Sequence, residues 1–500
     1  MPDHLSELRT HLARVRDLES AAAVLEWDQE TYMPAGSIES RANQIGTLRQ
    51  MAHDAATSDR VGSLLQTLEE MHDDGDDFTT SLIRIARRDY DRATRLPPTL
   101  VSRLARVSAI AKEAWKEARD TDRFDLFSPH LRQIVELNIE KAESLGFTES
   151  VYDPLLDEFE PGMTAAEVST LFLELRAKLV PIVRAIAAAP QVDDSILRRR
   201  YPHDAQWRFG ESVIRDFGYD FNRGRQDLSA HPFTTTFSIN DVRLTTRIEE
   251  DFFSPGFFGT LHEAGHGLYE QGIAASLERT PLASGTSLGM HESQSRLWEN
   301  LVGRSRIFWQ HYLPVLQSRF PGLVDDVSVD EFYRAVNQVT ASPIRVEADE
   351  VTYNLHIMLR FEIEMDLLTG KLDVEEIPDS WNDRMVEYLG LRPANNATGA
   401  LQDIHWSLGT FGYFPTYTLG NLISVQLFDR LRADVPGVTD DIGRGDFDRL
   451  LAWLREHVHR HGRSRSAAQI IQDTCDTELS AEPWLTYIRQ KYGEIYGSLE

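Results

Sequence analysis

Apolar residues recur at three- and four-residue intervals along most of this chain, a period that suits packed helices and little else. The stretches "HLSELRTHLARVRDLESAAAVLEW" (4–27), "TSLIRIARRDYDRAT" (80–94) and "PTLVSRLARVSAIAKEAWKEAR" (98–119) all carry it. So do "TAAEVSTLFLELRAKLVPIVRAIAAA" (164–189) and "DEVTYNLHIMLRFEIEMDLLTG" (349–370). No unit of 20–50 residues repeats, which argues against a helical solenoid. One segment breaks the habit. "TTTFSINDVRLTTRI" (234–248) is β-branched and alternating with Asn240-Asp241 at its centre, and it reads as a hairpin. The expected fold is mainly α, one large helical domain with a small β-sheet.

Bulk composition narrows the function classes. Five hundred residues can bury a large core. A formal net charge of -27 argues against nucleic acid and anionic membrane surfaces as partners, since both require a basic face. Cys475 is the single cysteine, so no intrachain disulfide can form, as expected in a reducing cytoplasm. The first residues show no apolar signal region, and no run of about 18 apolar residues follows, so neither secretion nor membrane insertion is expected.

Directly after the hairpin comes "GTLHEAGHGLYEQG" (259–272). His262 and His266 are four apart and share one helical face, and Glu263 follows the first histidine. This is the H-E-x-x-H arrangement, in which two neutral imidazoles hold Zn²⁺ and the glutamate takes a proton from the attacking water. With 16 histidines in the chain, about 0.04 chance matches are expected, so coincidence is a poor explanation. A third ligand must come from elsewhere. The metzincin extension fails, because Tyr269 and Gly272 stand where its glycine and last histidine belong. Glu270 continues the helical face but lies a further turn along the axis. "GMHESQSRLWEN" (289–300) offers Glu292 and Glu299, seven apart and on a common face, and position alone favours neither. A sheet edge beside such a helix would suit a peptidase, which often holds its substrate by strand pairing. "HVHRH" (457–461) has i, i+2 spacing, reads as solvated surface, and is not counted as a metal cluster.

With these residues in view, the sequence resembles the thermostable carboxypeptidase family typified by carboxypeptidase Taq. The resemblance rests on "DVRLT" (241–245), "HEAGH" (262–266), "HESQS" (291–295), "IRVEAD" (344–349) and "GALQDIHW" (399–406), in that order. "WDQETYMP" (27–34), "YDPLLDEFEPG" (152–162), "HPFTTTFS" (231–238) and "FGYFPTYTLG" (411–420) extend it over most of the chain. It implies a single metallocarboxypeptidase domain over 1–500, saddle-like with a deep groove and with the sheet beside the metal. Its parts would be helices to about 230, a metal and catalytic part over about 231–420, and C-terminal helices over about 421–500. It also implies one Zn²⁺ per chain (Co²⁺ able to substitute), Glu292 as the third ligand, and a cytoplasmic homodimer. The implied substrates are peptides with a free C-terminus, cut one residue at a time with broad specificity and C-terminal proline disfavoured. Glu299 then reverts to a helix-face charge.

A carboxypeptidase must grip an α-carboxylate, for which arginine is the natural partner. Composition cannot choose among the arginines, and the resemblance points to Arg345, assisted by Tyr417 or its near alternative Tyr413. Arg243 is a further candidate anchor, or else an ion-pair partner of Asp241. His231, His405 and Tyr413 are candidate donors to the developing oxyanion. Asp349 and Asp403 are candidates to orient the ligating imidazoles.

Overall fold

Each periodic stretch becomes a helix, and local chemistry sets its ends. The computed structural model describes residues 2–71 and 78–499. The first stretch lies in the helix Pro2–Thr31, the second in Phe78–Arg95, the third in Pro98–Thr121 and the fourth in Ala165–Ala188. Thr164 starts the last of these with a reciprocal cap, its hydroxyl accepting from the Glu167 N–H while Glu167 accepts from the Thr164 N–H. The fifth stretch begins four residues late, as Tyr353–Leu368, because the Asp349 carboxylate accepts from the N–H groups of Val351 and Thr352 and holds a turn there. The protein is mainly helical with one small sheet, as expected. Among the described residues no helix is long and apolar enough to cross a membrane.

Two compact units divide the chain. The first comprises Met1–Thr94, Asp194–Val336 and Leu427–Glu478, the second Arg95–Asp193, Asn337–Gln426 and Leu479–Glu500. In the first unit, Leu8 and Leu12 of the N-terminal helix pack with Leu64, Leu68, Leu82 and Leu277 in an apolar cluster. Its sheet has the order β1-β3-β2, with β1 Gly224–Leu228, β2 Thr234–Ser238 and β3 Asp241–Thr246. The hairpin pairs antiparallel, Thr234 opposite Leu244 and Thr236 opposite Val242, with an irregularity before Ser238. β1 runs parallel to β3, from Gly224 opposite Val242 to Leu228 opposite Thr246. The sequence reading missed β1, whose "GRQDL" is polar and shows no alternation.

Val242, Leu244 and Thr246 are buried at alternate positions, hence on one face of β3, and the helix Phe253–Gly272 lies close to Leu244. Two glycines let that helix come close on both sides. A Cβ on Gly267 would sit 2.9 Å from Leu244 Cδ2, and one on Gly265 would sit 2.6 Å from the Gln294 carbonyl oxygen. The helix behind Gly265 is Leu288–Arg296, capped by the Ser287 hydroxyl and continued as a wider π-helical segment, Leu297–Gly303. In the second unit, Tyr353–Leu368 is buried almost all round. Three of its buried polar residues, His356, Arg360 and Glu364, are four apart and form one stripe along it.

Candidate metal centre and a buried arginine cluster

His262 and His266 project from one face of Phe253–Gly272, and Glu292 reaches them from Leu288–Arg296. The Nε2 atoms of both imidazoles lie 3.6 Å from Glu292 Oε2, and all three donor atoms fall within 4.8 Å of one another. A tetrahedral ion with bonds of about 2.1 Å has donor–donor edges of about 3.4 Å, so the cradle has the size of a zinc site. Among the described residues this is the only such group of histidines and carboxylates.

The remaining atoms of the three side chains are held in place. His262 Nδ1 is 3.0 Å from Glu299 Oε2, and His266 Nδ1 is 2.7 Å from His291 Nδ1. Arg296 Nε donates to Glu292 Oε1 at 2.7 Å and its Nη1 to Glu299 Oε2 at 3.3 Å. Burial would depress the His262 pKa, yet the Glu292 and Glu299 carboxylates outweigh it and raise the value. Groups that favour a proton there favour a cation there. His266, buried among other imidazoles, is held well below its usual range and is neutral, as a ligand must be. Glu263 is buried beside this set, with the Thr234 hydroxyl 2.7 Å from its Oε2. Burial lifts the Glu263 carboxyl above its ordinary range, against the pull of His262 and Thr234.

Three sequence expectations need correction. Glu299 is no surface charge. It is buried and its carboxyl is held far below the usual range, because Arg296, His262 and Arg304 outweigh the cost of burial. Asp349 caps its own turn and Asp403 pairs with arginines, whereas the groups at the Nδ1 atoms of His262 and His266 are Glu299 and His291. The "HVHRH" run is not solvated throughout: His459 is fully buried, with Nε2 2.9 Å from Gln294 Oε1. His459–Ser464 is a tight 3₁₀ turn broken at Gly462, so α-helical spacing does not apply to it.

Two further candidates, Arg243 and His231, also belong to the first unit. Arg243 makes a two-pronged pair with Asp241, both bonds 2.8 Å, and its guanidinium lies 4.4 Å from the Trp27 ring centre and 4.9 Å from that of Phe237. His231 is exposed just before β2.

The second unit gathers Arg345, Tyr417, His405 and Tyr413. Arg345, in a 3₁₀ turn at Arg345–Glu347, donates from Nε and Nη2 to Asp403 Oδ1 at 3.0 and 2.8 Å and from Nη1 to the Tyr353 hydroxyl at 2.9 Å. Its guanidinium lies 5.1 Å from the Tyr417 ring centre. Arg360, fully buried, donates to Asp403 Oδ2 at 2.6 Å. Two guanidiniums thus share one carboxylate. They hold Asp403 far below its usual pKa despite its burial, while burial and the neighbouring Arg345 bring Arg360 down to about 10. Burial drops His405 to about 4, leaving it neutral, with Nε2 3.5 Å from the Tyr417 hydroxyl. The "GALQDIHW" block is legible residue by residue: Gln402 accepts from the Arg345 N–H, Asp403 takes both arginines, and Trp406 Nε1 donates to Glu364. Glu364 also accepts from the Tyr152 hydroxyl and the Gly412 N–H, and burial pushes its carboxyl up to about 7. The sequence reading passed over Arg360 and Glu364. Polar residues every fourth position in an apolar helix were the available signal.

A helix-borne H-E-x-x-H, completed by a glutamate from the next helix in a mostly helical body, defines a metallopeptidase. The model of the carboxypeptidase Taq (M32) metallopeptidase family matches residues 7–492, and the chain belongs to that family. It is 41% identical over 492 residues to thermostable carboxypeptidase 1 of Thermus thermophilus, covering 96% of each chain. With carboxypeptidase 1 of Bacillus subtilis it shares 38% over 486 residues, 97% of each chain. The crystal structure of an M32 carboxypeptidase from Deinococcus radiodurans R1 superposes with a TM-score of 0.97 at 43% identity, over 99% of this chain and 100% of that one. The protein is therefore an enzyme, a metallocarboxypeptidase.

Proposed function

We propose that the enzyme is a zinc-dependent carboxypeptidase that removes single residues from the C-termini of peptides. His262, His266 and Glu292 hold the ion, and Co²⁺ can take its place. Bound there, zinc supplies a Lewis acid that polarises the reacting oxygens. Glu263 accepts the proton of the attacking water and returns it to the leaving amine, and its raised carboxyl pKa supports that task. The hydroxyl of Thr234 keeps one oxygen of that carboxylate in place.

Arg345 and Tyr417 hold the substrate's terminal carboxylate. The observation that carries this part is a charge count: Arg345 and Arg360 share the one carboxylate of Asp403, and the Glu364 carboxyl near Arg360, lifted to about 7, is only partly charged, so the cluster favours an added anion. Tyr413, His405 and His231 are the donors proposed for the developing oxyanion, and neutral His405 can donate from one ring nitrogen. Arg243, already matched by Asp241, is better suited to holding β3 than to gripping substrate. Broad side-chain specificity, disfavoured C-terminal proline and a cytoplasmic homodimer acting as a single catalytic domain complete the reading, carried over from the family resemblance.

The test compares the free-acid and C-terminally amidated forms of one N-blocked peptide. Amidation removes the charge that Arg345 is proposed to pair with. The expected loss is about 2–4 kcal/mol, or roughly 30- to 1,000-fold in kcat/KM. Arg345→Ala should erase most of that difference. Equal wild-type rates on both forms would refute a carboxylate-gripping exopeptidase and favour an endopeptidase.

A further inference from the structure

We infer that His291 and Glu270 form a relay that fixes which nitrogen of His266 faces the metal, making both positioning residues. The inference rests on reading His262, His266 and Glu292 as the ligands. Glu270 follows His266 by one helical turn, but its carboxylate meets a second imidazole first. His291 Nε2 lies 2.8 Å from Glu270 Oε1, and His291 Nδ1 lies 2.7 Å from His266 Nδ1.

The proton positions follow from what each atom can do. The chain of contacts ends on a carboxylate, so His291 Nε2 is placed to donate to Glu270 Oε1. A ring that spends its proton at Nε2 has a bare Nδ1, which can only accept. His266 Nδ1 must then be the donor, and the lone pair of His266 is left at Nε2. That is the atom 3.6 Å from Glu292 Oε2, facing the cradle. His262 reaches the same state by the shorter route of direct donation to Glu299.

The surroundings are built for this arrangement. Glu270 is buried, and its Oε2 has no hydrogen-bond partner among the described residues, a costly placement for a carboxyl group with only packing to do. The Gly285 N–H donates to Glu270 Oε1 at 3.0 Å, and a Cβ on Gly285 would come within 2.6 Å of His291 Cδ2. The Tyr269 ring packs against His291, 5.0 Å between ring centres, and lies almost as close to that Cβ position, at 2.8 Å.

The test measures zinc affinity of the metal-free full-length protein by chelator competition, with the melting temperature of the same metal-free samples as a control on folding. In His291→Asn the amide oxygen stands near the position of Nδ1 and can accept from His266. In His291→Leu nothing accepts. Leucine should weaken zinc binding by roughly 10- to 100-fold, as lost outer partners of metal ligands do. Asparagine should restore most of the affinity, although both variants lose the contact with Glu270. Wild-type affinity in His291→Leu, or equal weakness in both variants, overturns the relay. If His291→Leu fails to fold, Glu270→Leu cuts the chain at its far end, and unchanged affinity there overturns it equally. A wild-type protein that takes up no zinc would instead refute the ligand assignment.

Discussion

In the first unit Glu263, Glu270, Glu292 and Glu299 are buried near one another with Arg296 and Arg304 set against them, whereas in the second Arg345 and Arg360 share the carboxylate of Asp403. Both units bury charge that a folding ledger would disfavour, because removing an ion from water costs several kcal/mol unless its partners are complete. The imbalances have opposite sign. Excess carboxylate around two imidazoles suits a cation, and excess guanidinium around one carboxylate suits an anion. The proposed function needs one of each, and the sign of the buried excess distinguishes the two centres more sharply than any count of conspicuous residues.

The largest expected effect comes from removing one charge on the acidic side while leaving the ligands intact. Glu263→Gln should keep zinc at one equivalent per chain and lower kcat by roughly 10²- to 10⁴-fold. Elemental analysis alongside turnover checks this, and substantial residual kcat in a metal-replete sample would remove Glu263 from the role of base.

On the basic side, Arg360→Met should cancel the excess without touching the proposed contact to substrate. KM for free-acid peptides should rise by roughly tenfold, the cost of about one charge-assisted hydrogen bond, while amidated peptides change little. A variant that keeps the wild-type preference for the free acid would show that Arg345 acts alone and that the charge count is irrelevant.

Glu299 tests whether the acidic excess or the hydrogen bond matters more. Glu299→Gln retains an oxygen that can accept from His262 Nδ1, and it should hold zinc within a few-fold of wild type. Glu299→Leu removes the acceptor and should weaken binding by roughly tenfold or more in chelator competition. Comparable loss in both variants would make the charge decisive.

The smallest effect concerns pH. Folding raises the Glu364 carboxyl from about 4.5 to about 7, so the native state favours its protonated form. The corresponding stability is fully present below pH about 4.5 and is lost as pH rises through about 7. Glu364→Gln should flatten the decline in melting temperature across that window by a few degrees, and an unchanged slope would assign the decline to other groups.

The sequence showed the candidate metal helix plainly because its chemistry is local: two of the proposed ligands and the proposed base lie within five consecutive residues. Glu292 and Glu299 could not be separated by spacing, and the structure supplies the reason. Both reach His262, one toward Nε2 at 3.6 Å and the other at Nδ1 at 3.0 Å. The resemblance, not the period, chose between them. Arg345 was illegible for the opposite reason, since its meaning depends on Asp403, 58 residues away in sequence. His291 lay inside a recognised block, but its partners His266 and Glu270 come from another helix, and no one-dimensional pattern announces that meeting. His459 was misread because a helical period was applied to a backbone that is not α-helical.

Gly265 and Gly267 carry a consequence for transplantation. The run H-E-A-G-H-G carries its recognisable chemistry in the histidines and glutamate, yet here its glycines record how near a strand and a second helix pass on either side. A graft of Phe253–Gly272 onto a host lacking those two neighbours would preserve the donor atoms and leave His266 without His291 and Glu263 without Thr234. A host with both neighbours at ordinary separation would leave gaps where the glycines sit. The portable object is a three-layer sandwich one helix thick at its centre, and the glycine pair is its thickness gauge.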